Sequence, residues 1–418
     1  MVELKPLKLK VNGKSQIALP ENLHQELRCD QIGSEIEAEF NQDGLLLKYS
    51  INHLSKIYIE PTNTCNLTCR TCMRNVWNEP SGFMNSMTFE KILRGIKEFK
   101  HTPSIFLGGF GEPLAHPDII PMIKAGKQLG CEVEMITNGT ALTREISKRL
   151  IDAGLDRLWV SLDGARPESY MDIRLGASLP YVIEQLQILR TICTRVNKPK
   201  PEIGIAFVAM RRNIAELPAL LRLAVELGAS RFSMSNVLAH TPELREEILY
   251  ERSIFDGVFQ SSCYRLQVDL PRMDINDLTR DPLVEMLRGA YRFTLGGDGL
   301  GGTINRCPFI HKRSISIRWD GKISPCLPLL HSYVSFLEDR ERRSNAFFCG
   351  DLVKKSLKKI WQDKEYTQLR KRLRDFDFSP CVFCNSCEMA GENREDCFGN
   401  SDPTCGGCLW AQGLIQCP

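Results

Sequence analysis

Three cysteines in the first quarter of the 418-residue sequence give the clearest indication of chemistry. Cys65, Cys69 and Cys72 are separated by three and two residues, so one short loop presents all three thiolates. Such a loop can ligate three irons of a cubane iron–sulfur cluster, which leaves the fourth iron without a protein ligand. Because a small molecule can chelate that open iron, the spacing predicts a cluster that takes part in chemistry rather than only carrying electrons.

This cysteine loop resembles the signature of the radical S-adenosylmethionine (SAM) enzymes. In that family the amino and carboxylate groups of SAM bind the open iron, and one electron from the [4Fe–4S] cluster breaks the sulfonium bond to give a 5′-deoxyadenosyl radical. Thr71 departs from the family, in which this position is often aromatic. A zinc or redox site on the Cys69–Cys72 pair is the alternative, but zinc sites usually combine two such pairs and the sequence has no second pair nearby.

A second motif, the glycine-rich stretch Gly108-Gly109-Phe-Gly111-Glu112, follows the second predicted strand. Glycines at a strand end let a ligand approach the backbone, and a carboxylate accepts hydrogen bonds from a cationic group. The stretch resembles the family motif that holds the methionyl amino group of SAM. The resemblance implies that Gly108, Gly109, Gly111 and Glu112 bind SAM. Taken alone, a glycine-rich turn is equally consistent with a turn that binds nothing.

Polar residues also follow the third and fourth predicted strands. Asn138 lies after the third strand, and Ser161 and Asp163 lie after the fourth, where their side chains could bind ribose hydroxyls. A serine and an acid at the fourth strand lie near SAM in the radical SAM family, which implies that role for Ser161 and Asp163. Arg174 stands where related maturases pair an arginine with the SAM carboxylate, a bidentate contact that suits a guanidinium. A charge on a helix surface is the alternative for Arg174.

Cysteine is concentrated near the C-terminal end of the sequence. Ten of the 17 cysteines lie beyond residue 300: Cys307, Cys326, Cys349, Cys381, Cys384, Cys387, Cys397, Cys405, Cys408 and Cys417. Disulfides are rare in the reducing cytosol, where we expect this protein, so the concentration of thiols predicts metal ligation. The isolated Cys29, Cys131, Cys193 and Cys263 have apolar or helical neighbours, which favours packed thiols over ligands.

The first two of these C-terminal cysteines flank a predicted hairpin. Asp320-Gly321 is a turn signal between Cys307 and Cys326, so two strands bring these cysteines toward one metal centre. The spacing resembles the SPASM domain, which is appended to many radical SAM maturases and carries one or two auxiliary [4Fe–4S] clusters. Gly350-Asp351 and the helix around Trp361 also follow the pattern of that domain.

The other C-terminal cysteines follow the SPASM pattern less closely. The resemblance implies auxiliary-cluster ligands among Cys307, Cys326, Cys381, Cys384, Cys387, Cys397, Cys405, Cys408 and Cys417. In the run Cys381, Cys384, Cys387 and Cys397, the third cysteine is closer to the second than in the usual pattern, and the fourth is farther away. The ligands are therefore not assigned one by one. A zinc ribbon built from Cys384–Cys387 and Cys405–Cys408 is the competing interpretation.

The C-terminal tail, NREDCFGNSDPTCGGCLWAQGLIQCP, narrows the resemblance. Together with CNLTCRTCMRN in the cysteine loop, it resembles the maturases encoded beside tungsten-containing aldehyde ferredoxin oxidoreductases. This resemblance implies an enzyme that modifies a client oxidoreductase or its tungsten–pterin cofactor, with a low-potential reductant such as ferredoxin. The alternatives are a maturase of ribosomal peptides or of anaerobic sulfatases and, in another class, a DNA-binding redox-sensing regulator.

Alternating strands and helices must position these motifs. Between residues 51 and 240 the sequence predicts six short apolar strands, at 56–59, 105–107, 133–136, 158–160, 203–208 and 231–234. Strands that alternate with helices predict a parallel sheet with helices outside it and active-site groups at the carboxyl ends of the strands. The number of units fits the α/β fold that the radical SAM resemblance implies, a partial (β/α)6 TIM-like barrel.

The N-terminal region, residues 1–50, alternates like a small β unit with one helix over 21–27. It resembles the swapped-hairpin (AbrB-like) domains, which dimerise and often bind DNA. Because this region holds more acids than bases, we favour a homodimer or a protein-docking contact over nucleic-acid binding.

Two regions follow the predicted barrel. Residues 241–300 predict a helical connector, with helices over 242–252 and 281–291 and a flexible glycine cluster at its end. Residues 301–418 form the cysteine-rich SPASM-like domain. The net charge of +3, the absence of an apolar run long enough for a membrane span and the absence of a signal peptide predict a cytoplasmic protein.

Overall fold

The computed structural model describes residues 10–11, 17–18, 36–41, 44–197, 200–250, 266–269, 271, 273–288, 293–296, 305–337, 340–382 and 387–417. The chain divides into two compact units, Met1–His53 and Leu54–Pro418. Every described residue of the candidate site lies in the second unit. The finer boundaries at residues 240 and 300 stay predictions.

The described residues of the N-terminal unit form two antiparallel strand pairs. Strand β1 (Lys10–Val11) pairs with β2 (Ile17–Ala18), and β3 (Ile36–Asn41) pairs with β4 (Gly44–Tyr49). The alternating pattern of the sequence anticipates these pairs. The helix predicted over 21–27 lies outside the described residues, and the homodimer stays a prediction.

A parallel sheet forms the centre of the second unit. Its first six strands are β5 (Lys56–Ile59), β6 (Ser104–Leu107), β7 (Val133–Thr137), β8 (Arg157–Ser161), β9 (Glu202–Ala209) and β10 (Arg231–Asn236). Each strand pairs in parallel with the next one along the chain. The predicted parallel sheet is thereby confirmed, and the polar motifs that follow these strands share one edge of it.

The sheet continues into the region for which we predicted a helical connector. Strand β11 (Leu266–Asp269) pairs in parallel with β10, and β12 (Phe293–Gly296) pairs in parallel with β11. The connector expectation was therefore incomplete, because two short strands inside a charged segment give little periodic signal. Gly296, the first glycine of the predicted flexible cluster, ends β12, and the rest of that cluster lies outside the described residues.

Helices connect the strands. They are α1 (Ser86–Ile96), α2 (Ile119–Gln128), α3 (Arg144–Ala153), α4 (Pro167–Ile173), α5 (Leu179–Arg195), α6 (Leu217–Glu226), α7 (Pro242–Arg245) and α8 (Arg280–Arg288). Local signals explain their ends: the Thr143 side chain accepts a hydrogen bond from the amide of Ile146, and Gly154 ends α3 in the left-handed conformation. Helix α7 is shorter than the predicted helix over 242–252, since residues 246–250 are described and are not helical.

The C-terminal region adds strands to the same sheet. After α9 (Pro308–His311), β13 (Ser314–Ile317) pairs in parallel with β5, β14 (Lys322–Ser324) pairs antiparallel with β13, and β17 (Gly350–Asp351) pairs with β14. The predicted hairpin turn is present, with Gly321 at a φ of 89°. Strand β13 therefore lies directly beside the strand that leads into the cysteine loop.

The other C-terminal elements pack around this extension of the sheet. They are the hairpin of β15 (Tyr333–Leu337) and β16 (Arg340–Ser344), followed by helices α10 (Leu357–Trp361) and α11 (Lys364–Asp375). The central strands are buried on both faces, as expected for a parallel sheet covered by helices; Ile57, Tyr58 and Ile59 have no exposed surface. Within the described residues, no helix has the length and apolar character of a membrane span.

Candidate active site

The cysteine loop begins directly after β5. Its last two cysteines are held by a tight turn, in which the amide of Cys72 donates to the carbonyl of Cys69 over 3.0 Å. The side chain of Asn75 donates to the same carbonyl over 2.8 Å. Cys69 is buried, whereas Cys65 and Cys72 are partly exposed. The loop therefore presents its thiols at the mouth of the barrel, at the carboxyl end of the first barrel strand.

The donor set of this loop fits an iron–sulfur cluster. The three thiols lie close enough to interact electrostatically, and burial raises the pKa of the Cys69 thiol to about 11. Burial therefore disfavours the thiolate of Cys69, and bound iron offsets this cost because the thiolate is the form that ligates the metal. Among the described residues, no group of three or more His, Cys, Asp and Glu side chains could hold a single metal ion. A cubane places its thiolates on separate irons, which fits three thiols carried on one short loop.

The glycine loop packs directly on the cysteine loop. A side chain at position 111 would collide with the backbone carbonyls of Thr62 and Thr64, and the amide of Glu112 donates to Thr64 over 2.8 Å. A side chain at Gly109 would meet Glu60, and one at Gly108 would meet Ile136. These glycines therefore allow close packing inside the protein, and their predicted approach to SAM stays a prediction.

Glu112 braces the glycine loop against the end of β7. Its carboxylate accepts hydrogen bonds from the hydroxyl of Thr137 (2.7 Å), the amide of Asn138 (2.7 Å) and the amide of Leu114 (3.0 Å). Burial raises the pKa of Glu112 against the opposing effect of these bonds. A carboxylate has about four acceptor positions, so one remains for a cationic ligand group.

Asn138 lies beside the cysteine loop. Its side-chain amide donates to Asn66 over 2.9 Å and lies 3.8 Å from the sulfur of Cys65. Asn66 in turn donates to the hydroxyl of Thr140 over 2.8 Å. Hydrogen bonds to ligand sulfurs tune cluster potentials, so this arrangement gives Asn138 a place next to the cluster rather than only next to ribose. Sequence reasoning did not single out Asn66 and Thr140, although Asn66 lies between two predicted ligands.

Asp163 and Arg174 form a buried ion pair at the barrel mouth. Nη2 of Arg174 lies 2.8 Å from Oδ2 of Asp163, whose other oxygen accepts from the amide of Val208 over 2.8 Å. Arg174 is therefore not the surface charge that we weighed as its alternative. Its Nε is buried and has no hydrogen-bond partner among the described residues, and the same holds for the hydroxyl of Tyr170. These two donors fit a polar ligand such as SAM, and sequence reasoning missed Tyr170.

Ser161 is the last residue of β8 and is partly exposed. It therefore lies at the same edge of the sheet as Asn138 and Asp163, which follow β7 and β8. The structure thus brings the glycine loop, Asn138, Ser161 and Asp163 to the carboxyl ends of neighbouring strands, and Arg174 reaches this edge from the end of α4 through its pair with Asp163. Their individual contacts to SAM stay predictions.

Four C-terminal cysteines line one cavity. They are Cys307, Cys326, Cys405 and Cys408. Burial raises the pKa of Cys307 to about 12 and that of Cys405 well above its usual value. Three buried thiols and the partly exposed Cys408 around one apolar cavity are the complete donor set of a [4Fe–4S] cluster. Cys405 and Cys408 of the alternative zinc ribbon therefore share this cavity with Cys307 and Cys326, whereas Cys384 of that ribbon lies outside the described residues.

The other C-terminal cysteines that the structure describes lie outside that cavity. The sulfur of Cys417 accepts a hydrogen bond from the indole of Trp410 over 3.2 Å. Cys381 is buried, whereas Cys387 and Cys397 are exposed, and Cys384 lies outside the described residues. The hydroxyl of Ser379, two residues before Cys381, lies 3.0 Å from the sulfur of Cys397. Cys397 therefore lies beside the segment that carries Cys381.

The fold and the site together define a radical SAM enzyme, and the chain belongs to the radical SAM superfamily. Residues 59–234 match the Radical SAM superfamily, and residues 307–388 match SPASM, an iron–sulfur cluster-binding domain. Accordingly, the enzyme binds SAM on a [4Fe–4S] cluster in the barrel and auxiliary iron–sulfur clusters in the SPASM domain. The regulator alternative is not supported by this membership.

Among its relatives is a protein of Pyrococcus furiosus, the tungsten-containing aldehyde ferredoxin oxidoreductase cofactor-modifying protein. The two are 30% identical over 371 residues, which cover 87% of this chain and 96% of the relative. The AdoMet-dependent heme synthase of Methanosarcina barkeri is 31% identical over 172 residues, which cover 41% of this chain and 47% of that protein.

Solved structures share the fold. Streptococcus suis SuiB bound to S-adenosylmethionine is 17% identical, with a TM-score of 0.53 over 80% of this chain and 71% of SuiB. Native anSMEcpe with bound AdoMet and Cp18Cys peptide is 14% identical, with a TM-score of 0.53 over 81% of this chain and 88% of that chain. At these identities the likeness concerns the fold alone.

Proposed function

We propose that this enzyme is a maturase that modifies a tungsten-containing oxidoreductase or its tungsten–pterin cofactor. The observation that carries the proposal is the 30% identity to the Pyrococcus furiosus cofactor-modifying protein, which spans 96% of that protein. The shared length includes the C-terminal region as well as the barrel. The resemblance therefore covers the parts of the chain that are expected to meet a client, and not only the part that binds SAM.

Cys65, Cys69 and Cys72 would hold the SAM cluster. When bound and reduced, the cluster and SAM would supply the radical chemistry that removes a hydrogen atom from the client. The protein itself contributes position: Glu112 fixes the glycine loop to β7, and the unpartnered Nε of Arg174 is a donor for the SAM carboxylate.

Cys307, Cys326, Cys405 and Cys408 would hold one auxiliary cluster, because they line the same buried cavity. Cys381, Cys384, Cys387 and Cys397 are the remaining candidates for a second cluster, with Cys417 as a further thiol. These clusters would accept or supply an electron, or bind substrate. A low-potential reductant such as ferredoxin would deliver the electron that starts the reaction.

The proposal has two tests. Anaerobic reconstitution followed by dithionite reduction should convert SAM into 5′-deoxyadenosine, and a variant with Cys65, Cys69 and Cys72 changed to alanine should yield none. Persistence of the product in that variant would contradict the role of these cysteines. For the client, a tungsten oxidoreductase isolated from a strain that lacks this enzyme should be inactive, and addition of the enzyme with SAM and reductant should restore it. An oxidoreductase that is fully active without the enzyme would refute its assignment as the client.

A further inference from the structure

A buried histidine joins the barrel to the C-terminal region. His331 has no exposed surface, and its Nε2 lies 3.1 and 3.0 Å from the two carboxylate oxygens of Glu60. Its Nδ1 lies 2.7 Å from the carboxylate of Glu79. Glu60 directly follows β5, and Glu79 lies beyond the cysteine loop, so residues on either side of that loop clasp the ring.

The same ring also contacts aromatic side chains of the glycine loop and of the segment after the cysteine loop. Trp77, five residues after Cys72, stacks on His331 with centroids 4.2 Å apart and planes 22° apart. Phe110 of the glycine loop meets the ring edge-on, with centroids 5.5 Å apart. Glu60 also accepts a hydrogen bond from the amide of Phe110 over 3.3 Å. His331 therefore touches the glycine loop and the segment after the cysteine loop at once.

The hydrogen-bond inventory determines the charge state of the ring. An ionised carboxylate only accepts hydrogen bonds, and a neutral imidazole has only one N–H. Both ring nitrogens face carboxylates, and a ring that donates to both carries two protons, so we assign His331 as an imidazolium. Other charged groups complete the network: Arg318 lies 3.5 Å from Glu79 and 2.6 Å from Asp320, and Lys322 lies 3.8 Å from Asp320.

We propose that His331 is a positioning residue for SAM binding, which locks the glycine loop and the segment after the cysteine loop to the C-terminal region while both ring nitrogens carry protons. The proposal rests on the SAM site proposed at the glycine loop. Loss of one proton removes one of the two clasping bonds and leaves a carboxylate facing a ring lone pair. The glycine loop and the segment after the cysteine loop then lose their common anchor, and the affinity for SAM falls.

The electrostatics of the site agree with this geometry. Burial opposes protonation of His331, but the hydrogen bonds and charges of Glu60 and Glu79 outweigh it and raise the pKa of the imidazole above its usual value of 6.5. The two hydrogen bonds from the His331 ring to Glu60 and Glu79 are therefore fully present below pH 6.5, and one of them is lost as the pH rises through the raised pKa. Removal of one carboxylate lowers that pKa and moves this loss to lower pH.

Two variants and one control test the anchoring contacts of His331. H331Q removes the titrating ring, and E79Q keeps the ring but removes one of its two carboxylates. The matched control is H116Q, since His116 is another buried histidine but bonds to backbone groups, the carbonyl of Met84 (2.9 Å) and the amide of Asp118 (3.1 Å). The dissociation constant of SAM is measured on each reconstituted holoenzyme between pH 6 and 9 from the change in the electron paramagnetic resonance spectrum of the reduced cluster.

We expect wild type and H116Q to bind SAM with the same affinity, and we expect that affinity to fall in both at alkaline pH. H331Q should bind about tenfold more weakly at pH 6.5 and show no alkaline weakening from this group. The affinity of E79Q for SAM should fall at a lower pH than that of wild type. An H331Q profile that matches wild type would overturn the proposal.

If H331Q holds no iron, E79Q provides the test. A pH midpoint of SAM weakening that is unchanged from wild type in E79Q also overturns the proposal. A wild-type enzyme that binds no SAM at any pH gives a different result: it refutes the proposed function, and the role of His331 together with it.

Discussion

Arg174 and Asp163 meet over 2.8 Å at the barrel mouth, with 11% and none of their side-chain surfaces exposed. The pair joins the end of β8 to the end of α4. Burial lowers the pKa of Arg174, but the charge of Asp163 outweighs it, so the net shift is upward and the arginine stays charged. The pair holds the guanidinium with its Nε unpartnered, at the edge of the sheet where we place SAM.

Asp163→Asn should destabilise the fold strongly. The substitution leaves a buried guanidinium without a counter-charge, which costs about 3 kcal/mol in the free energy of unfolding. Urea unfolding of the anaerobic holoenzyme measures this value. Glu285→Gln is the matched control, since its pair with Arg222 is more than half exposed on both sides and is worth under about 1 kcal/mol. Equal losses in the two variants would contradict a structural role for the buried pair.

Arg174→Lys should separate SAM binding from folding. Lysine keeps the positive charge beside Asp163 but lacks the planar fork, so we expect the dissociation constant of SAM to rise about tenfold while iron content is retained. Binding and iron are measured on the same reconstituted sample. Wild-type affinity in this variant would remove Arg174 from the SAM site.

Alanine at each of Cys307, Cys326, Cys405 and Cys408 should remove the same auxiliary cluster. We expect each variant to lose about four irons per chain and to keep the cysteine-loop cluster, because the four thiols share one cavity. Iron analysis and Mössbauer spectroscopy measure the loss. Cys131→Ala is the control, since that thiol is buried but lies outside the cavity. If only some of the four variants lose iron, the ligand set is wrong.

Gly111→Ala should disturb the contact between the two SAM-site loops. The added methyl group meets two backbone carbonyls, which cannot move as a flexible side chain does, so we expect a loss of about 1–3 kcal/mol in the free energy of unfolding and weaker SAM binding. Gly391→Ala provides the comparison, because a side chain there meets no atom within 4 Å. A Gly111→Ala enzyme as stable as Gly391→Ala would show that the loops tolerate more separation than the structure indicates.

Lys56 should make the fold more stable at alkaline pH. Its amine lies 3.5 Å from Glu134, and burial lowers its pKa from 10.5 to about 8. Between these values the unfolded chain holds a proton that the folded chain has released, so stability rises with pH by about 3 kcal/mol. Urea midpoints from pH 8 to 10.5 measure the rise, which Lys56→Met should lack. The exposed Lys124→Met should keep it, and a rise that persists in Lys56→Met would assign it to other groups.

Local sequence determined the elements that lie close together along the chain. The spacing from Cys65 to Cys72 sets a loop, and the strands that precede the polar motifs follow from short apolar runs between helices. These features need no knowledge of distant partners, because backbone geometry and burial within a few residues decide them. The position of the SAM site at the carboxyl edge of the sheet follows from the same patterns.

Tertiary packing decided the pairings across long stretches of sequence. Only the folded chain brings His331 to Glu60, 271 residues away, and selects Cys307, Cys326, Cys405 and Cys408 for one cavity. Spacing cannot make such a selection, since several sets of thiols in a cysteine-rich tail are equally compatible with it. The pairing of β13 with β5 places the C-terminal region beside the strand that leads into the cysteine loop, a contact that local sequence patterns do not encode.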